Sequence, residues 1–85
     1  MAYEVFITKL ARKQISKLPE DVAEHLLDLA TSLAANPRPH GSKKLVDQPG
    51  YRVGWGDYRL IYQIKQAQLL VVVVKAAHRR HVYDR

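Results

Sequence analysis

The sequence predicts an α+β domain in which two N-terminal helices pack on one face of a mostly antiparallel, four-stranded sheet, in the order β-α-α-β-β-β. Three observations predict it. The chain opens on an alternating apolar stretch, continues through two stretches with apolar residues at helical spacing, and closes with three β-rich runs separated by short turn signals.

From Ala2 to Thr8, Tyr3, Val5 and Ile7 alternate against Glu4 and Thr8, the period of a strand. Thr8 is then a helix cap, because Ala11, Ile15 and Leu18 follow at helical spacing. Pro19 suits the first position of a second helix, whose early carboxylates Glu20, Asp21 and Glu24 favour the positive end of the helix dipole. Val22, Leu26, Leu29, Ala30 and Leu33 form its apolar stripe, widened by Leu27 and Ala34, and Pro37 requires the helix to end near Asn36.

The stretch 37–50 holds Pro37, Pro39, Pro49, Gly41 and Gly50 and reads as a loop carrying the basic pair Lys43 and Lys44. Tyr51 to Trp55 is a short strand ending at the Gly56-Asp57 turn signal, and Tyr58 to Lys65 is the next. Gln66 to Gln68 turns the chain, and Leu69 to Val74 has the continuous branched apolar character of a buried central strand. On the Tyr58–Lys65 strand, Arg59 points with Ile61 and Gln63 to the side opposite Tyr58, Leu60 and Tyr62. A cation among apolar groups needs a counter-ion, either a carboxylate of the protein or a bound phosphate. The face away from the helices is expected to be open.

With 85 residues, 47% of them hydrophobic, the expectation is a single domain spanning residues 1–85. A core this small is marginal, so dependence on a tight protein partner is expected. Cysteine is absent, which removes disulfides, thiolate nucleophiles and Cys-based metal sites. No secretory or membrane-spanning apolar stretch is evident, and the expected location is the cytoplasm.

The net charge of +6 is unevenly spread. Residues 1–49 carry seven basic and six acidic side chains, whereas residues 50–85 carry seven basic side chains against Asp57 and Asp84 alone. A polyanion, nucleic acid or an acidic protein segment, fits that asymmetry; a merely solvated surface is the alternative. Arg52, Arg59 and the run His78-Arg79-Arg80-His81-Val82-Tyr83 hold the groups able to bind phosphate or move a proton. Paired helical carboxylates, a His-x-x-x-His motif and a glycine-rich phosphate loop are all missing from the sequence, so neither a metal nor another cofactor is expected. The set suits RNA cleavage, in which the ribose 2′-hydroxyl attacks the adjacent phosphate. One group accepts a proton, a guanidinium stabilises the phosphorane, and another group protonates the departing 5′-oxygen. His78 to His81 also reads as a solvated tail, but Val82 followed by Tyr83 argues for an anchored one. Trp55, beside a glycine turn, either stacks on a base or packs.

Tyr3-Glu4-Val5, Lys17-Leu18-Pro19, Lys43-Lys44-Leu45, Tyr51-Arg52-Val53, Gly56-Asp57-Tyr58-Arg59-Leu60-Ile61-Tyr62 and His78-Arg79-Arg80-His81-Val82-Tyr83 together resemble the RelE/ParE toxins of bacterial toxin–antitoxin pairs, and among them the RelE-like mRNA interferases. The resemblance covers nearly the whole chain. It implies a RelE-like sheet backed by two helices, a metal-independent endoribonuclease cutting mRNA in the ribosomal A site near 16S rRNA, and a cognate antitoxin through which alone operator DNA is bound. It places Arg52, Arg59, Arg79, His78 and Tyr83 at catalytic positions. Beside them, Lys43, Lys44, Arg80, His81 and Trp55 are expected to contact substrate. Active members often carry a second basic residue two positions after the one matched by Arg52, where this chain has Gly54. The general-base role then falls to His78, His81, Tyr83 or Lys44. Two other functions share the fold: a ParE-like, non-enzymatic inhibitor of DNA gyrase, and a weakened toxin acting chiefly with its antitoxin in autoregulation.

Overall fold

The computed structural model describes residues 2–82. Its elements are β1 (Glu4–Ile7), α1 (Lys9–Ser16), α2 (Glu20–Ser32), β2 (Lys43–Lys44), β3 (Tyr51–Trp55), β4 (Tyr58–Lys65), a 3₁₀ turn (Gln66–Gln68) and β5 (Leu70–His78). The sheet has five strands in the order β1-β5-β4-β3-β2; β1 pairs with β5 in parallel, and the other neighbours are antiparallel.

The sequence missed one strand. Lys43 and Lys44, read as loop, form β2 by pairing with Arg52 and Tyr51. Two residues carry no periodicity, so only the partner strand reveals them. The Val-rich strand is central as expected, between β1 and β4, but it runs on to His78 after entering from Leu69 at φ 50°.

Helix entry follows local chemistry. The Thr8 hydroxyl accepts the Ala11 N–H at 3.2 Å and caps α1. Pro19 is the residue before α2 rather than its first, with φ −52° and ψ 146°; lacking an N–H, it leaves no donor unpaired there. Helix α2 stops at Ser32, a few residues short of the expected end, and Leu33 to Ala35 close it with tighter backbone bonds.

Ala11, Ile15, Val22, Leu26, Ala30 and Leu33 from the helices and the segment after α2 pack on Val53, Leu60, Tyr62, Val71, Val73 and Ala76 of the sheet. Leu27, expected to widen the helical stripe, lies outside it and is exposed. The far face is not fully open as expected. Leu45, Ile61 and Val82 form a second small cluster there with Val74 and Ala77, so the loop after β2 and the chain beyond β5 cover part of it. Val82 is 2% exposed, which anchors the tail that follows β5.

Candidate nucleic-acid interface

The hairpin between β3 and β4 has a two-residue loop: Trp55 pairs with Tyr58, and Gly56 takes the positive φ of 59° that such a turn requires. The resulting register sets the site. Arg52 lies opposite Ile61, and Gly54 opposite Arg59, so Arg52, Gly54 and Arg59 share the face away from the helices. Lys43 joins them from β2, directly opposite Arg52.

These residues, with Gly41 and Gly56, line a shallow cavity of about 420 Å³. Three of its six lining residues are cations and none is acidic, so it presents concentrated positive potential to an anion. A neighbouring depression of about 500 Å³ shares Lys43 and Arg52 and extends along the loop from Lys44 to Gln48, where Asp47 brings a carboxylate that the first cavity lacks.

The Arg59 side chain lies over Gly54. A Cβ at position 54 would stand 2.7 Å from the guanidinium carbon and 2.8 Å from Cδ, and would overlap Nη1. Nη1 donates to the carbonyls of Gly56 and Tyr58, each at 2.9 Å. Among the described residues Arg59 has no carboxylate partner; backbone carbonyls orient it instead.

The other expected site residues are distributed around this centre. Arg79 is exposed at the β3–β4 turn, where its N–H donates to the Asp57 carbonyl at 2.7 Å and its Nε stands 3.7 Å from the Asp57 carboxylate. His78 pairs with Tyr58 on β4 and meets that ring edge-on at 5.5 Å, on the helix side of the sheet rather than with Arg59. The Arg80 N–H donates to His78 Nδ1 at 3.2 Å, so the accepting nitrogen of the neutral ring is already engaged. Arg80 and His81 are exposed in the turn after β5, with the His81 ring 6.3 Å from that of His78. Tyr83 lies outside the described residues.

Lys44 alternates to the other side of β2, opposite Tyr51, though it still borders the depression beside Lys43 and Arg52. Trp55, expected with the substrate contacts, is likewise on the helix side, because it lies one residue from Gly54 in a strand. It stacks on His25 of α2 with ring centroids 4.2 Å apart and an interplanar angle of 13°. The structure therefore brings together Lys43, Arg52 and Arg59, sets Arg79 at the adjoining turn, and puts Trp55 and His78 behind the sheet.

Sequence reasoning gave Arg38 no role. Its Nε donates to the Tyr51 hydroxyl at 3.3 Å and its Nη2 to Gln66 Oε1 at 3.3 Å, tying the proline loop that leads into β2 to β3 and to the turn after β4. That hydrogen bond to Arg38 holds the Tyr51 phenol below its ordinary value, helped by the nearby charges of Arg38 and Lys44. Tyr62, by contrast, is pushed up by burial. The prolines flanking Arg38 were the available signal, since they stiffen its loop.

Two helices behind a mixed sheet, with a cation-lined cleft on the opposite side, define a class of small basic α+β domains. The chain belongs to the ParE toxin family of type II toxin–antitoxin systems, the family model described as the ParE toxin of parDE matching residues 5–83. Toxin RelG of Mycobacterium tuberculosis (strain ATCC 25618 / H37Rv) is 30% identical over 87 residues, covering 100% of both chains.

Solved structures agree. The RelBE2 toxin–antitoxin complex of M. tuberculosis matches at TM-score 0.83 and 28% identity, over 93% of this chain and 100% of that one. A double mutant of the E. coli toxin RelE in the free state matches at TM-score 0.79 and 28% identity, over 98% and 92%. The archaeal RelE–RelB complex of Pyrococcus horikoshii OT3 matches at 0.80 and 28%, over 93% and 97%. The fold is RelE-like. No helix among the described residues is long and apolar enough to cross a membrane.

Proposed function

We propose that this toxin, acting as one domain in the cytoplasm, is a metal-independent endoribonuclease that cuts mRNA in the ribosomal A site, beside 16S rRNA. The observation that carries the reading is the convergence of Lys43, Arg52 and Arg59 on one acid-free cleft. A phosphodiester seated there meets a guanidinium whose Nη1 is fixed by two carbonyls. Nε and Nη2 of Arg59 are left to grip two phosphate oxygens together. Charge developing on the phosphorane is stabilised by Arg59, while Arg52 and Lys43 hold the backbone on either side. Arg79, at the adjoining turn, reaches the same strand of RNA once its exposed pairing with Asp57 is exchanged for phosphate; such a pair is worth under about 1 kcal/mol.

Proton transfer falls to the tail. His78, behind the sheet and with Nδ1 accepting from Arg80, is set aside; His81 and Tyr83 are the groups left to accept the 2′-hydroxyl proton and to protonate the departing 5′-oxygen. A cognate antitoxin, the kind of partner present in the M. tuberculosis and P. horikoshii complexes, covers the cleft and supplies the contacts to operator DNA. The test is expression with and without the neighbouring antitoxin gene, followed by primer extension on mRNA. Cleavage products that vanish in Arg59→Ala are expected; growth arrest with intact mRNA would overturn the reading.

A second reading, inhibition of DNA gyrase without chemistry, is favoured by the ParE family match and by the position of His78 behind the sheet. Inhibited supercoiling in vitro, undiminished by Arg59→Ala, would establish it in place of the first.

A further inference from the structure

Gly54 has an effect on this site that is visible in the packing. It sits opposite Arg59 in the β3–β4 register, and the Arg59 side chain occupies the space a Cβ would take. The two Nη1 hydrogens of Arg59 are engaged by the carbonyls of Gly56 and Tyr58. Among the described residues Nε and Nη2 have no hydrogen-bond partner, and they form the edge of the guanidinium that grips a phosphate with two parallel bonds.

We propose that Gly54 is a positioning residue for Arg59: the missing side chain is the seat on which the guanidinium lies flat across β3, its two-pronged edge presented to an RNA phosphate beside Arg52 and Lys43. This rests on the reading of the cleft as a phosphate site and goes further, because it gives the glycine a part in holding the guanidinium that binds phosphate. The obstructing atoms belong to a flexible side chain and not to the backbone, so a methyl group at position 54 displaces Arg59 while leaving the strand in place. Gly54 itself has no positive φ to lose.

The experiment is a double-mutant cycle on the full chain, using fluorescence anisotropy with a short single-stranded RNA made uncleavable by 2′-O-methylation. Arg59→Ala is expected to weaken binding about 10- to 100-fold, as for loss of charge-assisted hydrogen bonds. Gly54→Ala is expected to weaken it to a similar extent, and the double variant is expected to bind no more weakly than Arg59→Ala alone. The Arg59 Nε–H resonance, assigned by its absence in Arg59→Ala, is expected to shift in Gly54→Ala. If Arg59→Ala binds as tightly as the unaltered chain, the cleft reading itself fails. If Arg59→Ala binds weakly but Gly54→Ala does not, or if the two losses add, the positioning role is overturned while the cleft stands. Unfolding caused by Gly54→Ala in both backgrounds would also overturn it, since the glycine would then serve the strand and not the arginine.

Discussion

Tyr62→Phe removes one oxygen from the centre of the molecule. The Tyr62 ring is 0% exposed, it stacks on Tyr51 with centroids 5.9 Å apart, and its hydroxyl donates to the Pro37 carbonyl at 2.8 Å. The phenylalanine keeps the packing but leaves the Pro37 carbonyl, also buried, without that donor. The expected cost is about 1–2 kcal/mol. For a domain of this size that is roughly 5–15 °C in Tm. The pH dependence carries a sign that separates this hydroxyl from the rest. Burial raises the folded-state phenol above its ordinary value of 10.0, so its contribution is complete below that value and is lost as pH rises beyond it, where the unfolded chain ionises first. The stability gap between the unaltered chain and Tyr62→Phe is therefore expected to be widest near neutrality and to shrink above pH 10. Urea melts of both chains at neutral and alkaline pH measure it. Equal stability at neutral pH, or a gap that widens in alkali, would refute the reasoning.

Three further changes test other parts of the fold. Thr8→Ala removes the cap of α1 and is expected to destabilise the protein by about 1 kcal/mol in denaturant melts, while Thr8→Asn, which also caps, largely restores it. Val82→Ala strips two methyl groups from the small cluster with Leu45 and Ile61, costing about 1–2 kcal/mol and speeding proteolysis after Arg79 and Arg80; unchanged cleavage there would show that Val82 does not anchor the tail. His25→Ala uncovers one face of Trp55, the protein's one tryptophan, and is expected to red-shift its fluorescence with at most about 1.5 kcal/mol lost; an unmoved spectrum would mean that the stack does not persist in solution.

How much of the site could be read in the residues differs from element to element. Arg52 and Arg59 were identifiable because a cation in an otherwise apolar strand is conspicuous, and alternation alone sends Arg59 away from Leu60 and Tyr62. Trp55 and His78 fell on the other side of the sheet. For Trp55, alternation from Arg52 contained the answer, since three positions in a strand reverse the face. For His78 it did not: the irregularity between Ile61 and Tyr62 in the β4–β5 pairing shifts the register, and the outcome depends on where that shift falls. Gly54 looked like a loss when viewed as a letter. Only its cross-strand partner shows that the space is filled.

The sequence by itself determined the helices, four of the strands, the charged C-terminal half and the central place of the valine run, because periodicity, capping and turn chemistry act between residues a few positions apart. Tertiary structure decided what depends on distant segments meeting: the pairing that makes a strand of Lys43 and Lys44, the fold-back of Val82 over Ile61, and the alignment that brings Lys43, Arg52 and Arg59 to one cleft. Each of these is fixed by the register between strands and by the burial available on one face, quantities that the pattern within a single segment does not encode.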